Sequence, residues 1–173
     1  MRGREDNLAD LRTSTSTALR GDPTGGEVAT FENIKRLLPG ASLERCEALT
    51  LIRYGAGDRL APHYDANKAA DVEDADRGGQ TVCSVLVYLN DVARGGATKF
   101  GKLGVQIAPR RGDACVFFPA TADGAFDDRL EHEGEVCGEE KWIGRVWVHQ
   151  RPIRGANGVA PRTIAALGGS VLS

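Results

Sequence analysis

The 173-residue chain has three histidines, at positions 63, 132 and 149. One of them stands two positions from a carboxylate in the stretch RLAPHYDANK (59–68), which pairs His63 with Asp65. Residues i and i+2 of a strand point to the same face, so this pair can offer one nitrogen and one oxygen to a metal ion, or can hydrogen-bond internally. His132, in RLEHEGEV, is a candidate third ligand. Nine positions after it comes Lys141, at the head of the apolar run KWIGRVWV. Two imidazoles and one carboxylate occupy one face of an octahedral Fe(II) and leave three positions open. Zinc, which favours a tetrahedral set of nitrogen and sulfur donors, is a competing occupant. A lysine directed into a barrel is costly without an anion beside it. A dicarboxylate that chelates the metal with one end and meets the ammonium with the other would be such an anion. The other reading of Lys141 is an exposed cation at a strand edge. His149 ends the run VWVHQRP and is expected to face solvent or cap a sheet, not to bind metal.

The elements that would position these groups are short. In GEVATFENIKRLLPG, the apolar residues Val28, Phe31, Ile34, Leu37 and Leu38 recur at helical spacing, and Pro39-Gly40 ends the pattern. This predicts one amphipathic helix packed on a sheet. LRTSTSTAL (11–19), ALTLIRY (48–54), TVCSVLVYL (81–89), ATKF (97–100), GVQIA (104–108), DACVFF (113–118) and WIGRVWVHQ (142–150) are rich in β-branched and apolar residues and read as strands. Glycine-rich turns separate many of them. Many short strands with one helix before them predict a mainly β fold, a jelly roll with a supporting α-helix. The polar segment ANKAADVEDADRGG (66–79) reads as a surface loop able to fold over a site. The segment 154–173 has no clear period and is expected to be a partly disordered tail behind one domain, residues 1–153.

Composition narrows the function classes. Hydrophobic residues make up 41% and charged residues 27% of the chain, an ordinary globular balance. The net charge of -2 gives no sign of a nucleic-acid or anionic-membrane partner. No apolar run approaches a membrane span. The first residues, MRGREDNLADLR, have no apolar core of the secretory type. Cys46, Cys83, Cys115 and Cys137 are scattered and form no CxxC pair, so free thiols in a reducing, cytoplasmic setting are expected. No glycine-rich phosphate loop joins a strand to a helix, which leaves nucleotide binding without support.

Taken in order, RTSTSTAL, LIRYGAGDRLAPHYD, GGQTVCSVLVYLNDVARGGATKF, IAPRRGDACVFF, LEHEGEV and EKWIGRVWVHQRP resemble the prolyl 4-hydroxylase branch of the Fe(II)- and 2-oxoglutarate-dependent dioxygenases. The resemblance covers about residues 11–152. It implies a double-stranded β-helix, the jelly-roll or cupin-like fold, with the site between its sheets. By it, His63, Asp65 and His132 are the iron ligands, Lys141 holds the distal carboxylate of 2-oxoglutarate, and Tyr54 and Thr98 hydrogen-bond that same carboxylate. It also implies O2 as cosubstrate and ascorbate as reductant. Trp147 matches a tryptophan near the active site. Two positions depart from the family: Leu60 stands where a tyrosine is usual, and Thr81 where an arginine is usual. Both positions serve peptide recognition in relatives, so Leu60, Thr81 and Trp147 are the candidate substrate-pocket residues. The activity implied is hydroxylation of a prolyl residue in a peptide or protein. The alternatives are hydroxylation of a free amino acid or other small metabolite, and a non-catalytic module that binds 2-oxoglutarate or metal. The sequence does not set the oligomeric state.

Overall fold

The structure is a computed structural model, described over residues 13–20, 25–68, 77–154 and 156–168. Among the described residues, nine strands form two antiparallel sheets. The larger has the order β1-β2-β9-β4-β7 and the smaller β3-β8-β5-β6. In chain order the strands are β1 Thr15–Ala18, β2 Thr50–Tyr54, β3 Leu60–His63, β4 Thr81–Tyr88, β5 Thr98–Phe100, β6 Val105–Ile107, β7 Ala114–Phe117, β8 His132–Gly134 and β9 Lys141–His149. Helix α1, Gly25–Leu37, precedes β2, and a short helix α2, Pro161–Ala166, follows β9. The fold is the expected jelly roll with its supporting helix.

Alternation along the two central strands divides the interior into two cores. On β4, Cys83 and Val85 face α1, while Ser84, Leu86 and Tyr88 face the smaller sheet. On β9, Val146 and Val148 join the helix side, and Ile143 joins the other. α1 sets Phe31 and Ile34 against the first group, both of them buried. Burying such side chains is worth about 1.5–3 kcal/mol each. This is why the 3.6-residue spacing was readable: the helix needs a single apolar stripe to close the outer face of the larger sheet.

The segment expected to trail away as a tail instead packs on this outer core. Val159 and Ile164 are buried in it. Thr163 Oγ1 donates to Glu27 Oε1 of α1 at 3.1 Å, and Lys35 Nζ reaches the Leu167 carbonyl at 3.2 Å. Six helical residues contain too little periodicity to be recognised without the groove that receives them. Residue 155 and residues 169–173 lie outside the described part, as do residues 69–76 of the expected surface loop.

The smaller sheet was only partly anticipated. β3 contains Pro62, which lacks a backbone donor and suits an edge strand. β8 is three residues long and was not expected. The two pair with each other, Leu60 opposite Gly134 and His63 opposite His132. Neither has enough alternating residues to announce itself alone.

Candidate metal and cosubstrate site

His63 ends β3 and His132 begins β8. Because they are cross-strand partners, their rings stand side by side with centroids 4.2 Å apart. Each ring is fixed from behind. His63 Nδ1 lies 2.9 Å from the Ala61 carbonyl and His132 Nδ1 lies 3.0 Å from the Leu130 carbonyl. A carbonyl can only accept, so each Nδ1 carries the proton and each Nε2 keeps a lone pair on the side of Asp65.

Asp65 lies beyond the end of β3, in the turn that follows, and so does not share a strand face with His63 as the HxD spacing suggested. Its carboxylate reaches the same point because β4 holds it. Ser84 Oγ donates to Asp65 Oδ2 at 2.6 Å. The Gln80 side chain, with no exposure, brackets the backbone of Asn67 by accepting from its N–H and donating to its carbonyl, both at 2.8 Å. Asp65 Oδ1 is 3.5 Å from His63 Nε2, and Oδ2 is 3.7 Å from His132 Nε2. Burial alone would raise the carboxyl pKa of Asp65. When the imidazoles are protonated, the hydrogen bond and charge of His63, the charge of His132 and the Ser84 hydrogen bond outweigh it and hold the group well below the usual carboxylate range. Burial pushes His132 down, which favours the neutral imidazole a metal requires.

The ligand atoms of His63, Asp65 and His132 all lie within 4.8 Å of one another. Two imidazole nitrogens and one carboxylate oxygen, gathered on one side of an open space, suit Fe(II) better than the closed tetrahedral set of structural zinc. The donor set therefore fits the metal that the sequence implied.

These three candidate ligands line a cavity of about 170 Å³ between the sheets. Tyr54, Thr98, Lys141, Ile143, Arg145 and Trp147 line it as well, as does Leu60. Lys141 is 2% exposed, which settles its position as interior. Its ammonium donates to the Gly96 carbonyl at 2.8 Å and sits 4.3 Å from the centre of the Tyr54 ring, across the β2–β9 ladder. Among the described residues no carboxylate lies within ion-pair distance of it. Burial pulls its pKa down, with Cys137 and Glu135 acting in the opposite sense. A buried cation of this kind calls for an anion, and the distal carboxylate of 2-oxoglutarate fits that requirement. Tyr88, which sequence reasoning missed, donates its hydroxyl to Thr98 Oγ1 at 2.8 Å. That bond leaves the Thr98 proton available to an anion in the cavity.

The remaining expectations divide. Leu60 and Trp147 belong to the cavity, but Thr81 does not line it: it is buried at the start of β4, opposite His149. His149 does not face solvent. It is 5% exposed, with Nδ1 2.9 Å from the Gly79 carbonyl and Nε2 3.2 Å from Glu47 Oε1. A histidine at the end of a strand looks terminal in sequence, but the Gly78-Gly79 segment folds over it.

A double-stranded β-helix with two histidines, an aspartate and a buried lysine around one cavity defines a class, the metal-dependent oxygenases of the jelly-roll type. Residues 49–149 match the family described as the 2OG-Fe(II) oxygenase superfamily, and the chain belongs to that family. It is 32% identical to prolyl 4-hydroxylase subunit alpha-1 of Rattus norvegicus over 150 residues, which is 83% of this chain and 27% of the relative. It is 35% identical to prolyl 4-hydroxylase 1 of Arabidopsis thaliana over 122 residues, which is 62% of this chain and 42% of the relative. The chain thus spans less than half the length of these two relatives. The viral collagen prolyl hydroxylase of Paramecium Bursaria Chlorella virus-1, solved as its 2OG complex, shares the fold with a TM-score of 0.68. It is 22% identical, and the match covers 83% of this chain and 87% of that one.

Proposed function

We propose that this chain is an Fe(II)- and 2-oxoglutarate-dependent hydroxylase acting on a prolyl residue in a peptide or protein. The observation that carries this reading is one cavity with the His63–Asp65–His132 cluster among its walls and the buried ammonium of Lys141 in the same lining. When bound, iron and 2-oxoglutarate supply the oxidising chemistry, in which 2-oxoglutarate is decarboxylated to succinate and one oxygen atom from O2 enters a substrate C–H bond.

The chain's own part is positional and electrostatic. The Ala61 and Leu130 carbonyls fix which nitrogen of each imidazole faces inward. Ser84 fixes the rotation of the Asp65 carboxylate. Lys141 neutralises the far carboxylate of the cosubstrate, and Thr98, oriented by Tyr88, donates to it. Ile52, Leu86 and Ile143 give the cavity apolar walls and exclude water. The prolyl preference is supported by the two prolyl 4-hydroxylases with 32% and 35% identity. All four cysteines are free and buried, which suits a reducing compartment such as the cytoplasm. No helix among the described residues is long and apolar enough to cross a membrane.

The test is succinate release from 2-oxoglutarate with Fe(II) and ascorbate, alone and with proline-containing peptides. Mass spectrometry then reads the gain of one oxygen atom in the peptide. Succinate formation that depends on His132 together with oxygen gain at proline is expected. Absence of both with iron-loaded protein would overturn the reading.

A further inference from the structure

The inward face of β9 presents Lys141, Ile143, Arg145 and Trp147 in a row, and all four line the cavity. A strand rises roughly 3.3 Å per residue, so the backbones of Lys141 and Arg145 are about 13 Å apart. That is too far for both cations to serve the same end of one small dicarboxylate. The cavity wall therefore carries a second cation for which the iron and cosubstrate reading has no use.

Arg145 is held in place. Its guanidinium lies 3.6 Å from the centre of the Trp147 ring, a stacked arrangement. Glu47 Oε2 is 3.7 Å from Arg145 Nη2, which is an ion pair but longer than a hydrogen bond, and the same carboxylate also meets His149. Trp147 is the cross-strand partner of Ser84, the residue that holds the iron-binding carboxylate. The stacked pair thus adjoins the metal cluster. The Trp147 Nε1–H is buried with no acceptor among the described residues. Among the described residues, the acidic groups around this corner are Glu47 behind the guanidinium and Asp65 and Glu133 in the cavity lining.

We infer that Arg145 and Trp147 form a carboxylate-binding anchor for the substrate, so that the hydroxylated molecule carries a carboxylate close to the reacting carbon. The planar fork of a guanidinium matches a carboxylate with two parallel N–H bonds, and the indole N–H adds a third donor. Leu60, on the opposite wall, offers only apolar contact. Two sources share this chemistry: the α-carboxylate of a free or C-terminal amino acid, and an Asp or Glu side chain beside the target residue in a peptide. The inference deepens the hydroxylase reading and rests on it.

The experiment compares a carboxylate with its amide within each variant, so that general damage to the protein cancels. N-acetylproline is set against N-acetylproline amide, and a proline peptide with a neighbouring Asp against the same peptide with Asn. Binding to the iron- and 2-oxoglutarate-loaded protein is read by calorimetry under anaerobic conditions, and hydroxylation by mass spectrometry. Wild type is expected to prefer one carboxylate probe over its amide by about tenfold or more. Arg145→Gln should bring that ratio to near one, and Arg145→Lys should leave it in between. Preference in the first pair identifies an α-carboxylate, and preference in the second a side chain. No preference in either pair, or one that survives Arg145→Gln, overturns the anchor. Loss of succinate formation in wild type, with the calorimetric preference intact, would count against the hydroxylase reading and not against the anchor.

Discussion

Ser84 donates a 2.6 Å hydrogen bond to Asp65 Oδ2 from a position with no solvent exposure. The bond crosses from the larger sheet to the turn after β3 and makes the HxD pair a usable ligand set. Without it, the Asp65 carboxylate could rotate on a segment that has already left the sheet. Removing such an outer partner typically costs 10–100-fold in metal affinity. Ser84→Ala is therefore expected to weaken Fe(II) or Co(II) binding by about tenfold with the fold retained. Metal titration followed by absorbance decides it: an affinity within about twofold of wild type would mean that Asp65 is oriented without Ser84.

The parts of this site that were legible in the sequence are those that rely on rare residue types. His63, His132 and Lys141 stand out because imidazoles are few and because a lysine heading an apolar strand is anomalous. Ser84 and Tyr88 do not stand out: a serine or tyrosine in a β-run carries no signal until its cross-sheet neighbour is known. The same holds for the elements. β4 and β9 were readable from long β-branched runs. β3 and β8 exist because His63 and Leu60 find partners across the ladder, a relationship between segments about seventy residues apart. Family position alone points Thr81 to the pocket, whereas the register of β4 against β9 puts it opposite His149.

Lys141 should trade stability for cosubstrate binding. A charge-assisted hydrogen bond to a carboxylate is worth about 1.5–3 kcal/mol, so Lys141→Met is expected to lower 2-oxoglutarate affinity by roughly ten- to a hundredfold, with metal affinity nearly unchanged. The same substitution should raise the melting temperature of the ligand-free protein, because it removes a buried charge. The pH dependence has a definite sign. Burial holds the folded pKa below the unfolded value of about 10.4. The unfolded chain therefore binds the proton more tightly, and wild type gains stability relative to Lys141→Met as pH rises from the folded pKa toward about 10.4. Denaturant titrations at stepped pH check this. Unchanged 2-oxoglutarate affinity in Lys141→Met would remove the lysine from the site.

The four thiols should be silent in the native protein. Burial pushes Cys46 and Cys83 up to about 12 and Cys115 up to about 11, and raises Cys137 as well. The thiolate is the reactive form, and none of these sulfurs is accessible. A colorimetric thiol reagent at neutral pH is expected to label none of them within minutes, and all four after denaturation. Rapid native labelling of even one would show that its cover opens.

His149 offers a contrast with the two candidate ligand histidines, because its burial ties elements of the fold together. It ties β9 to the Gly79 carbonyl and to Glu47, which also pairs with Arg145 at 3.7 Å. His149→Ala would leave a buried carbonyl and a carboxylate with one partner fewer, and each unsatisfied group costs about 1–3 kcal/mol. For a chain of this size about 1 kcal/mol shifts the melting temperature by roughly 2–4 °C, so a loss of several degrees is expected. Metal affinity should stay near that of wild type, since the His63–Asp65–His132 cluster is held by β3, β4 and β8 rather than by the end of β9. Thermal melts and Co(II) titrations of the same preparation separate the two effects. A folded His149→Ala protein that no longer binds metal would assign this histidine to the metal centre after all.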